Sequence, residues 1–130
     1  MTRPRMQIGA VTITAAPTPR AGELARFYER LLGWRIVEEG PRGGWAQLLP
    51  PEGESLIAIN IESDEEHERP VWPSEPGGQH ATMHLDIGVD DLDAAVEWAL
   101  QAGASLAEDQ PQEHVRVMLD PHGNPFCLCR

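Results

Sequence analysis
Hydrophobic positions recur along this chain with two periods, and their alternation lays out the fold. From Pro19 to Leu32, Leu24, Phe27, Tyr28 and Leu31 follow the i, i+3, i+4, i+7 spacing of a helix with one apolar face. Thr18 is placed to cap it, Pro19 suits the first helical position, and Gly33 stands where a glycine ends a helix in the left-handed region. A second helix is predicted from about Asp91 to Ala102, with Asp90 as its N-cap, Asp93 adding negative charge to the first turn, and Leu92, Ala95, Val96 and Ala99 as its stripe. Gly103 ends it in turn. Before each helix the pattern changes to period two: Val11 and Ile13 alternate with Ala10, Thr12 and Thr14, and Leu85, Ile87 and Val89 with His84, Asp86 and Gly88. After each helix come three short strand candidates bounded by glycine and proline. These are Trp34–Glu38, Trp45–Leu49 and Ser55–Ile61, then Ala104–Glu108, His114–Leu119 and Pro125–Cys129.

The order strand, helix, three strands therefore occurs twice, and the chain can be laid upon itself. With the shift that carries Gly33 onto Gly103, Glu38 meets Glu108, Pro41 meets Pro111, Leu49 meets Leu119, Pro51 meets Pro121 and Gly53 meets Gly123. Several of these are turn residues, so they mark the same corners in both halves. An α+β chain of two tandem βαβββ modules, forming a curved mixed sheet cup, is expected. Module one covers about residues 8–61 and module two about 81–129, within one domain of 130 residues. Residues 62–80 read as a solvated linker, with six acids against one arginine up to Gln79, three prolines, and only Val71 and Trp72 clearly apolar. Trp72 is the exception in that segment, and is either a plug that folds onto the body or a surface contact.

Composition narrows the partners. A net charge of −11, with ten scattered arginines as the only basic side chains, disfavours nucleic acid and anionic membranes. The acidity either attracts cationic ligands or only keeps the protein in solution. No apolar run approaches a membrane span, and the first residues do not resemble a secretory signal, so a cytoplasmic location is expected. Cys127 and Cys129 are too close in sequence for an unstrained disulfide and are expected as free thiols.

The repeated unit, the "FYERLLGW" helix end, "MHLDIGVDDLDAA" and the closing "LDPHGNPFCL" together resemble the glyoxalase, bleomycin-resistance and extradiol dioxygenase group, the vicinal oxygen chelate superfamily, over about Ile8 to Cys129. That resemblance implies a cup in which a divalent ion is held by one residue from the first and one from the last strand of each module. It also implies a homodimer, since relatives commonly close the cup against a second chain. His84 matches the first-strand ligand of module two, and Cys127 stands where a glutamate is usual, three residues past the asparagine of the "DPxGN" turn. Carried to module one by sequence offset, the same positions are Ala10 and Ile57, which cannot bind a metal. No cofactor is therefore expected, the alternative being a divalent metal at His84. A softer site of His84, Asp86, Cys127 and Cys129 meets a geometric objection, because strand residues two apart are separated by about 6–7 Å.

Weighed singly, His84 is either a ligand-binding group or a buried histidine satisfied by neighbouring strands. Cys127 is a nucleophile if His84 lowers its pKa, or more simply an apolar filler. Asp86 shares the face of His84 and can orient it or meet a cation. Trp45 and Gln47 share a face on the third strand of module one, where a glutamine suits a wet cup and the indole suits ligand stacking. His122 and Glu52 are expected to face solvent in equivalent turns. Arg116 has a strand parity that fits neither face. The small-molecule site is thus expected among His84, Asp86, Cys127, Trp45, Gln47 and Trp72, with no catalytic residue assigned. The first reading is a metal-independent small-molecule binder, with a drug-binding resistance protein as an alternative; the second is a glyoxalase-type lyase or isomerase, or dioxygenase, using a divalent ion; the third is a structural or partner-binding protein whose cup is filled by side chains.

Overall fold
The computed structural model describes residues 1–17, 20–55 and 57–130 and divides the chain into two compact units, Met1–Glu65 and Glu66–Arg130. In the first, β1 (Ala10–Ala15), α1 (Ala21–Leu32), β2 (Arg35–Glu39), β3 (Trp45–Leu49) and β4 (Ala58–Ser63) form a four-stranded sheet in the order β1-β4-β3-β2. In the second, β5 (Leu85–Gly88), α2 (Leu92–Ala102), β6 (Ser105–Leu106), β7 (Val115–Leu119) and β8 (Pro125–Cys129) repeat it as β5-β8-β7-β6. Within each sheet the first and last strands run parallel and the remaining pairs antiparallel. That connectivity is the βαβββ unit read from the sequence, twice.

Amphipathicity decides what each helix covers. α1 buries Ala21, Leu24, Ala25, Phe27 and Tyr28, the last two in an edge-to-face contact with centroids 4.9 Å apart. Ala46, Leu48, Ile59 and Ile61 are buried on the sheet face beneath it, so Trp45, Gln47 and Asn60 fall on the other face. α2 packs on β6, β7 and β8, whose buried Met118, Phe126 and Leu128 alternate with Val117 and Cys127. Both helices end as expected, Gly33 at φ 69° donating to the Glu29 carbonyl and Gly103 at φ 120°.

Their starts differ from the sequence reading. α1 begins at Ala21 with Arg20 as N-cap and no side-chain cap, while Thr18 and Pro19 lie outside the described residues. In α2 the cap is Asp91, one residue later than Asp90, and its carboxylate accepts from the Ala94 N–H at 3.0 Å. The cap must reach an amide two or three residues on, and Asp91 has that spacing with extended backbone.

The last strands correct the internal alignment. Gln47 pairs with Asn60 where its repeat mate Val117 pairs with Cys127, and Ala10 pairs with Ala58 where the β5–β8 register, extended by one residue, sets His84 beside Pro125. The register mate of Cys127 is therefore Asn60, not Ile57. Module one carries three extra residues between the Gly53 corner and β4, a length that turn residues alone do not reveal.

Residues 66–80 belong to the second unit and are not simply solvated. Trp72 is half-buried against Ala107, Val117 and Cys127, on the face of the sheet opposite α2. His67 Nε2 lies 3.0 Å from the His122 carbonyl oxygen, and Arg69 Nη1 donates to the Pro121 carbonyl at 3.0 Å. The segment is thereby pinned to the turn that precedes β8.

Candidate functional site
That turn is where local sequence sets the position of β8. Asp120 is 1% exposed, and its carboxyl accepts from the His122 N–H at 2.8 Å, the Asn124 N–H at 3.0 Å and the Asn124 side-chain amide at 3.0 Å. His122, expected in solvent, is buried at 2% exposure because residues 66–69 cross over it. Glu52, in the matching turn of module one, is exposed as expected. Gly123 at φ 87° has a second reason to be glycine: a Cβ there would meet the Arg69 side chain at 3.0 Å. Arg116 is explained as well, since its Nη1 turns back to the carbonyls of Gln112, Glu113 and Val115 instead of choosing a sheet face.

Beyond the turn, β8 runs beside β5 with Asp86 opposite Cys127, so their side chains share a face. His84 immediately precedes β5 and is exposed, which removes the reading of a buried, strand-satisfied imidazole. Its Nε2 lies 3.2 Å from Asp86 Oδ1, with side-chain exposures of 35% and 66%. The Trp72 ring meets the imidazole edge-on at 6.0 Å, and the indole Nε1 is enclosed without an acceptor among the described residues. A ring nitrogen of His84, an Asp86 oxygen and Cys127 Sγ all lie within 4.8 Å of one another. The strand-spacing objection thus applies to Cα atoms and not to the donor atoms, because His84 sits before the strand and its long ring leans across to Asp86.

Cys127 is 6% exposed, and burial, then the Asp86 charge, then Cys129, push its thiol up to about 11 from 9.0. The direction is opposite to an imidazole-activated nucleophile and agrees with the packed-filler reading. Burial likewise raises Cys129, whose sulfur lies 3.9 Å from Asp86 Oδ1. Both cysteines are free thiols.

Of the six residues expected to line a site, His84, Asp86, Cys127 and Trp72 come together in the second unit. Trp45 and Gln47 share a face in the first, where Gln47 Nε2 donates to Asn60 Oδ1 at 2.9 Å. Asn60 and Asp120 were not singled out by pattern, and His122 was read only as a solvent-facing turn residue. Counting strand register rather than turn spacing would find Asn60, and the Asp-x-x-x-Asn turn would find the buried carboxyl.

The four-ligand divalent site implied by the resemblance does not fit this chain: Ala10 offers no donor, and Asn60 offers an amide already bonded to Gln47. A family model described as a glyoxalase-like domain matches residues 10–129. None of the curated proteins compared matches the chain. Among solved structures, a genomically encoded fosfomycin resistance protein from Listeria monocytogenes is similar at TM-score 0.67 and 10% identity, covering 98% of this chain and 92% of that one. A glyoxalase family protein from Enterococcus faecalis gives 0.64 and 21%, covering 95% and 97%. An antibiotic-binding protein from a Streptomyces species gives 0.58 and 16%, covering 98% of both chains. Identities this low establish a shared fold. Among the described residues, no helix is long and apolar enough to cross a membrane.

Proposed function
The chain belongs to the glyoxalase-like domain family of the vicinal oxygen chelate superfamily, and from that premise we propose that it binds a small organic molecule without the family's full metal site. The observation that carries this reading is the grouping of an aromatic edge, an exposed imidazole and an exposed carboxylate, Trp72, His84 and Asp86, on one face of the second module. An apolar wall with a few convergent polar groups is the usual make-up of a ligand site. Asp86 and the net charge of −11 favour a cationic ligand. A drug-binding resistance protein is the finer form of the reading, supported by the names of the Streptomyces and Listeria neighbours. Free thiols accord with a cytoplasmic setting, and the edge strands left in each open sheet accord with a homodimer.

Tryptophan fluorescence titrated with bleomycin, a cationic probe, and fosfomycin, an anionic one, tests it. Saturable quenching by the cationic probe is expected, weakened at least about tenfold in Asp86→Asn, as loss of a charged contact implies. No response to either probe, or an equal response in Asp86→Asn, would count against a ligand site here.

A further inference from the structure
We infer that the second module alone holds a site for a thiophilic divalent ion of the zinc class, with a ring nitrogen of His84, an Asp86 carboxylate oxygen and Cys127 Sγ as its protein ligands. Among the described residues these three donors are gathered within 4.8 Å of one another, and the His84–Asp86 separation is 3.2 Å. Two nitrogen or oxygen ligands at about 2.0–2.1 Å around a tetrahedral ion stand about 3.3 Å apart, so that edge of the polyhedron already has its length. The sulfur is the fixed corner: Cys127 lies in the interior of β8 and is held by Ala107, Val117 and Trp72. His84 and Asp86 are the exposed corners, and inward movement of about 1 Å by their side chains brings all three donors into range. The fourth position is left for water or an exogenous ligand.

The donor set differs from the one the family resemblance implies. That set takes two ligands from each module, whereas the register mates of His84 and Cys127 in module one are Ala10 and Asn60. Asp86, which the family pattern does not include, supplies the third donor because register places it directly opposite Cys127. A thiolate in the set also changes the metal. Sulfur and imidazole select zinc, cobalt or cadmium, while magnesium and manganese prefer all-oxygen shells.

Cobalt titration of the chelator-stripped full chain tests the site. One equivalent of Co²⁺ is expected to give a thiolate-to-cobalt charge-transfer band with the intense visible bands of a tetrahedral ion, to be displaced by Zn²⁺, and to be untouched by excess Mg²⁺. Cys127→Ser should abolish the charge-transfer band and Cys129→Ser should keep it. Asp86→Asn and His84→Ala should each weaken cobalt binding at least about tenfold, the loss that removing even a supporting group brings. Circular dichroism checks folding, and if Cys127→Ser unfolds, the exposed His84 and Asp86 variants carry the test. Absence of the band in the unaltered chain, its persistence in folded Cys127→Ser, unchanged affinity in Asp86→Asn, or displacement by Mg²⁺ would each overturn the assignment.

Discussion
The two modules share a strand order and a helix, yet the sheet faces turned away from those helices carry different chemistry. On module one the row Thr12, Asn60 and Gln47 is neutral, and its two amides are hydrogen-bonded to each other. The matching row on module two is Asp86, Cys127 and Val117, with His84 at its end and Trp72 laid over it. A duplicated scaffold therefore does not duplicate its chemistry. Register fixes which positions stand side by side, and the residue types at those positions decide whether the group can recognise anything.

Substitutions that break features present in only one module sharpen this contrast, and the turn before β8 has the largest expected effect. Asp120→Ala leaves three donors in and around a buried turn without their acceptor and should cost about 3 kcal/mol or more in urea unfolding. Pro50→Ala, at the equivalent sequence position of module one, should stay within about 0.5 kcal/mol.

Next comes the cover. Trp72→Ala should lose about 2 kcal/mol, below the range for a fully buried tryptophan because the residue is half-buried. Trp72→Phe should lose less than about 1 kcal/mol, since it also removes the enclosed indole N–H. Both values come from the same urea curves. In the Cys129→Ser background, Trp72→Ala should also speed alkylation of Cys127, which the indole now covers.

A smaller effect is expected from pH. The Cys127 thiol is raised from 9.0 to about 11 on folding, so the folded chain keeps a proton that the unfolded chain releases between those values. Its contribution is fully present below pH 9 and is lost as pH rises through 11. Thermal midpoints measured across this window should fall less steeply in Cys127→Ser, and an identical slope would remove Cys127 as the cause.

The smallest predicted difference lies at the helix starts. Asp91→Ala should cost about 1 kcal/mol through its lost cap. Arg20→Ala should leave the urea midpoint indistinguishable from that of the unaltered chain, because its contact with Glu23 at 3.0 Å is an exposed pair and its side chain caps nothing.

Both helices, their closing glycines and every strand were legible in sequence to within a few residues, because amphipathic period and turn residues are local signals. What was not legible depends on distance along the chain. His122 looks like any turn histidine until residues 66–69 cross it, and Ile57 looks like the mate of Cys127 until hydrogen bonding counts the strand. The site behaved the same way. His84 and Cys127 followed from the family resemblance and Asp86 from alternation, but convergence of their donor atoms required knowing that β5 and β8 are neighbours with Asp86 opposite Cys127.

The course of residues 66–80 has a consequence for anyone dividing the gene. Hydropathy suggests a cut near residue 81, where the acidic stretch gives way to β5. A fragment beginning there would leave behind His67, Arg69 and Trp72, uncovering Cys127 and the turn that sets β8. A fragment from Glu66 onward would keep its own lid, so chimeras that exchange second halves should be spliced after Glu65.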